Sequence, residues 1–121
     1  MDPYKIDFTS MSLNQVITDL CQHPTIDEEM VGYGGTKSVQ YQRFEYLMRF
    51  IKNEEFIEYL HSPYPILRAY SFWALVKRDY QGTRKLYTDI LMNDHARMLH
   101  YDACDKMGTT VSLFARSRIN M

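Results

Sequence analysis

The chain has 121 residues, a formal net charge of −1, and 45% apolar against 24% charged residues. That allows one buried core and excludes a disordered tail. The charge balance gives no default attraction to nucleic acid or anionic lipid, and the longest apolar run, Phe72 to Val76, falls far short of the about 20 residues a membrane span needs.

Residues 1–10 read as a loose N-terminal arm without the basic and apolar regions of a secretion signal. Leu13, Val16, Ile17 and Leu20 recur at helical spacing after Ser12, which predicts a helix to about Gln22, stopped by Pro24. Thr25-Ile26-Asp27-Glu28 has the form of a capping box and predicts a further short helical turn. Gly32, Gly34 and Gly35 then interrupt regular structure in a loop over 32–38. From Ser38, Tyr41, Phe44, Leu47, Met48 and Ile51 form one apolar stripe with Arg43, Glu45, Arg49 and Lys52 outward, so a second long helix is expected.

Asn53 is expected to cap a short helix carrying Glu54 and Glu55 at its positive end. Ser62 is expected to cap the next, with Pro63 in its first turn. That helix, to about Arg78, is apolar on nearly every side and must be covered by other elements. Thr83 opens the next amphipathic helix, with Leu86, Tyr87, Ile90 and Leu91 on one face. A further helix is expected from Asn93 or Asp94 through Met98, Leu99, Ala103 and Met107, and a last short one over Val111, Leu113 and Phe114. The reading is all-α, one domain over 1–121, with helical hairpins at 53–78 and 83–107 spaced by about 31 residues, a period typical of stacked repeats.

The run from Ser62 through Leu67-Arg68-Ala69 to Ala74-Leu75 resembles the turn and second helix of a HEAT repeat, where a polar residue and Pro precede an aliphatic-Arg pair. Tyr41 to Arg78 looks like a group of uncharacterised bacterial HEAT-like proteins. The resemblance implies a short stack of antiparallel helical hairpins, about five to seven helices, and a habit of binding rather than a reaction. By it, Arg68 would bond to neighbouring turns, and Ala69 and Ala74 would be close-contact positions. The second copy departs from the pattern, with His95-Ala96 in place of Tyr64-Pro65.

No catalytic constellation stands out. Asp94, His95, His100, Cys104 and Asp105 are the best metal candidates, since His100 and Cys104 would share a helix face, but no second ligand pair completes a site. No metal or other cofactor is expected. Cys21 and His23 lack a nucleophile signature, the glycine loop lacks the motif of a phosphate loop, and Asp27-Glu28-Glu29 reads as a solvated turn. Cys21 and Cys104 are expected to be reduced and buried in a cytoplasmic protein.

The aromatics carry more weight, because Tyr, Trp and Arg dominate interface energies. Tyr70, Phe72 and Trp73 are expected in the core, and Tyr64 and Tyr80 near the surface. The leading expectation is therefore a non-enzymatic scaffold, of inhibitor or immunity type among other roles, that binds another protein through Tyr64, Arg68, Tyr80 and Arg84. The alternative is nucleic-acid binding through Arg78, Arg84, Lys85 and Arg97. Residues 1–62 sum to −5 and residues 63–121 to +4, which supports that alternative weakly and would also permit a homodimer.

Overall fold

A computed structural model describes residues 6–120. Six α-helices and four strands are found among them: α1 (Leu13–Gln22), β1 (Thr25–Val31), β2 (Thr36–Lys37), α2 (Val39–Phe50), α3 (Asn53–Tyr59), α4 (Pro65–Lys77), α5 (Thr83–Leu86), β3 (Arg97–Ala103), β4 (Asp105–Thr110) and α6 (Val111–Ile119). A π-helical turn, Tyr87–Leu91, continues α5. The first five residues of the expected arm lie outside the described residues. The rest of it is held, since Ile6 N–H donates to Gln42 Oε1 and Phe8 packs on Tyr46 at 4.7 Å.

Local chemistry explains the helices that were read from the sequence. Ser12 caps α1 by accepting from Gln15 N–H, and Ser38 caps α2 by accepting from Tyr41 N–H. α4 starts two residues later than expected, because Pro65 forces Tyr64 into an extended conformation and takes the first helical position itself. Ser62 instead accepts from Tyr64 N–H. α3 begins one residue earlier than expected, on Asn53, with Lys52 in the capping position. α4 ends in a Schellman closure: Tyr80 N–H donates to Leu75 C=O and Asp79 N–H to Val76 C=O, with Asp79 at φ +53° in the left-handed region usually taken by glycine.

The all-α stack of helical hairpins is overturned by a four-stranded mixed sheet ordered β2-β1-β3-β4. β1 pairs antiparallel with β2 and parallel with β3, and β3 pairs antiparallel with β4. Thr25-Ile26-Asp27-Glu28, expected to be helical, is the start of β1, with Thr25 beside Leu99 and Asp27 beside Tyr101. The expected second hairpin, 83–107, is half helix and half sheet, so no second helical hairpin stacks on 53–78 and the 31-residue period has no structural counterpart. The reason is non-local. β1 satisfies its backbone on a strand more than 70 residues away, which local patterns do not report.

The core runs as one cluster from Val16 and Leu20 of α1 to Phe114 and Ala115 of α6. α4 lies at its centre, with Ala69, Tyr70, Phe72, Trp73, Ala74 and Leu75 buried. Phe44 stacks on Trp73 at 5.2 Å and tilts over Tyr70 at 4.7 Å, and Phe114 meets Trp73 edge-on at 5.6 Å. Each such aromatic burial contributes about 1.5–3 kcal/mol. The helix around Trp73, expected to be covered on several sides, is surrounded by α1, α3, α6 and β1.

Candidate functional site

Strand alternation places Met98 and His100 of β3 on one face and Arg97, Leu99 and Tyr101 on the other. α4 and α6 cover the first face. The start of β3 and the end of β4 border the turn that leaves α1 and the first turns of α4 and α6. A cleft of about 840 Å³ results, within the range of ligand and peptide pockets. Pro24, Ile66, Met98, Leu99, Gly108 and Leu113 give it apolar walls. Leu99 stays 38% exposed and Leu113, on the first turn of α6, 57% exposed.

Gly108 lines this cleft without a side chain. It pairs with Leu99 across the sheet, and a Cβ added there would meet no atom within 4 Å. A second hollow of about 350 Å³ adjoins the first, sharing Cys21 and Gln22, and is lined by Ile17, Tyr59, Pro63 and Tyr64. The two form a concave strip from Leu113 to Tyr64 along the ends of α1 and α4.

Gln22, His23, Arg97, Thr109 and Thr110 bring polar groups to the cleft. Arg97 stands exposed at its edge, and its side chain takes no hydrogen bond or ion pair among the described residues. His23 Nδ1 is 3.0 Å from the Asp19 carbonyl, at the end of α1. Neither Asp nor Glu lines the cleft. Burial pushes the Cys21 thiol up to about 11, so it is a poor nucleophile at neutral pH.

The expected binding residues scatter about the fold. Tyr64 is 53% exposed and lines the smaller hollow. Arg68 sits close by but is occupied: Nε and Nη2 grip both oxygens of Asp94 at 2.7 and 3.0 Å, and Nη1 donates to Ser62 C=O at 2.8 Å. Tyr80 closes the far end of α4 and packs partly against the core. Arg84 is exposed on α5.

The residues of the nucleic-acid alternative also lie apart. Arg78 donates to Asn53 Oδ1 and to the Met48 carbonyl and covers the Phe56 ring, pinning α4 to α2 and α3. Lys85 pairs with Asp89 one helical turn on. Arg97 is the one of the four that borders the cleft.

His100 and Cys104 do not share a helix face, because their segment is a strand and a turn. His100 Nε2 meets Glu28 Oε2 at 2.7 Å, and the exposed Cys104 lies 3.8 Å from the Gly32 carbonyl. Glu28 Oε2 also accepts from Arg118 Nη1 at 2.8 Å, and Arg118 in turn covers Trp73 and Phe114. This cluster clips α6 onto β1 and β3. Among the described residues no group of three His, Cys, Asp or Glu side chains stands close enough to hold a metal ion.

Sequence reading missed Leu99, Gly108 and Leu113 as surface residues. It placed 93–107 on a helix, where Leu99 would have been core. The signal that could have found them was Met107-Gly108-Thr109-Thr110, a β-prone pair after glycine that fits a strand better than a helix end. No family model, curated protein or solved structure matches this chain.

Proposed function

We propose that this protein is a non-catalytic module that binds another protein, and that the concave strip from Leu113 to Tyr64 is where it does so. The observation that carries this reading is the large apolar cleft whose rim residues, Leu99 and Leu113, remain exposed. Exposed large apolar side chains around a concavity mark interaction sites. Tyr64 adds an aromatic with a polar tip, the kind of side chain that anchors interfaces. Arg68 supports the strip from behind by fixing the turn that presents Tyr64.

No helix among the described residues is long and apolar enough to cross a membrane. The cytoplasm is the proposed compartment, in keeping with two cysteines that form no disulfide with each other.

The test is capture of the tagged protein's partner from its host, read by mass spectrometry, with Leu113→Arg and Gly108→Phe run beside the wild type. Both changes alter the cleft at open positions, so thermal stability should hold. One stoichiometric protein retained by the wild type and lost with both variants is the expected result. A partner retained equally by both variants would move the binding surface elsewhere. Material recovered only with nucleic acid, and released by salt, would favour the arginine-based alternative.

A further inference from the structure

The cleft has a charge character that the whole chain lacks. The protein carries net −1, and residues 1–62 sum to −5, yet no carboxylate lines this cavity. The cation at its edge, Arg97, projects from the first residue of β3, next to apolar Met98 and Leu99. Elsewhere in the fold, Arg68 is matched by Asp94, Arg118 by Glu28, Lys37 by Glu45 and Lys85 by Asp89. Arg97 has no such match among the described residues; Arg49, Arg84 and Arg116 also lack one, but of these four only Arg97 lines the cleft. Nearby, the exposed His23 holds Nδ1 3.0 Å from the Asp19 carbonyl.

An unpaired guanidinium beside apolar walls complements one chemistry above others: an apolar stretch that carries a carboxylate. Arginine suits this role because its planar fork grips a carboxylate with two parallel hydrogen bonds and is weakly hydrated for a cation. Gly108, which pairs with Leu99 across the sheet, puts no side chain beside it in the cleft.

We propose that the partner enters the cleft as an extended acidic-apolar segment, its apolar side chains lying between Leu99 and Leu113 and its carboxylate gripped by Arg97. This rests on the reading that the cleft is the protein-binding site, and it specifies what the partner must present. A basic or purely apolar segment fits less well, the first by repulsion and the second by leaving the guanidinium partly desolvated without a partner.

The experiment is selection from a random dodecapeptide phage library on immobilised full-length protein, in parallel on the wild type, Arg97→Glu and Leu113→Arg. Arg97 and Leu113 are both exposed, so the variants should melt with the wild type, which circular dichroism checks. Wild-type binders should be enriched in Asp or Glu adjacent to Leu, Ile or Phe, and synthetic copies should bind Arg97→Glu at least tenfold more weakly. Replacing the peptide's acid by Lys should restore affinity to Arg97→Glu.

Binders that lose affinity for Leu113→Arg but show no acidic enrichment would overturn this inference and leave the cleft as the site. Binders indifferent to Leu113→Arg, or a selection that yields none, would overturn the cleft reading and this one together.

Discussion

The Tyr70 hydroxyl holds both backbone groups of Asp27: it donates to the carbonyl at 2.9 Å and accepts from the amide at 2.7 Å. A side chain on the central helix thereby closes hydrogen bonds that the inner edge of β1 would otherwise leave open. Asp27 also reaches α2, taking a 2.6 Å hydrogen bond from Ser38 Oγ, the hydroxyl that caps that helix. Two residues thus tie α4, β1 and the start of α2 into one unit.

Tyr70→Phe should destabilise the fold by about 2 kcal/mol, because it strands a buried N–H and a buried C=O while keeping the ring's packing. Burial, followed by the Asp27 charge, pushes the Tyr70 phenol well above its usual value near 10.0. Its neutral form is favoured in the fold, so this contribution is complete below pH 10 and is lost progressively above it. Urea midpoints at pH 7 and at alkaline pH should show a steeper loss in the wild type than in Tyr70→Phe. Equal slopes would assign alkaline unfolding to another group.

Glu28→Gln tests the clip on α6. Burial disfavours the Glu28 carboxylate, but the hydrogen bonds and charges of His100 and Arg118 outweigh it and hold the group below its ordinary 4.5. Stability from this group is present above pH 4.5 and disappears as pH falls through the lower folded value. Glu28→Gln should cost roughly 1–3 kcal/mol at pH 7 and less at pH 3, since acid neutralises the wild-type carboxyl as pH falls through its lowered folded value. Chemical denaturation at the two pH values decides it, and an equal loss at both would mean that shape rather than charge matters.

Arg68 and Asp94 should be energetically coupled. Their bidentate contact is 15% and 13% exposed and joins the start of α4 to the segment before β3. A double-mutant cycle with Arg68→Ala and Asp94→Ala should give a coupling of about 1–3 kcal/mol, and Arg68→Lys should recover little because one ammonium cannot span both oxygens. Additive losses would reduce the pair to an incidental contact.

The two thiols should react at different rates. Cys104 is exposed on the turn between β3 and β4, whereas Cys21 is half-buried with its thiol pushed up to about 11 from 9.0. At pH 8 that lowers the Cys21 thiolate fraction roughly 100-fold relative to an unperturbed thiol. Alkylation by iodoacetamide, followed by peptide mass spectrometry, should label Cys104 first. Simultaneous labelling would show that the end of α1 opens readily.

How far each element could be read follows from the range of its interactions. The ends of α1 and α2 are written in Ser12 and Ser38, each bonding three residues ahead, and α4 in its run of apolar residues after Pro65. β1 is not written that way. Thr25-Ile26-Asp27-Glu28-Glu29 offers three consecutive acids and a helix-capping pattern, and its strand identity comes from β3 and from Tyr70. The turn between β3 and β4 escaped for another reason: Ala103 takes φ +52° where glycine or asparagine would have announced the bend.

The sequence by itself determined what is local here: the starts of α1 and α2 at Ser12 and Ser38, the apolar stripes of those helices, the burial of Tyr70, Phe72 and Trp73, and a charge too even to imply a default nucleic-acid partner. Tertiary structure alone decided that two acidic-to-mixed segments become strands and that Leu99, Gly108 and Leu113 frame a cleft. It also decided that Arg68 and Arg78 serve the fold while Arg97 stays unpaired. The division has a physical cause. Helix caps and stripes are satisfied within a few residues, while a parallel pair of strands gains its hydrogen bonds only after the chain between has folded back.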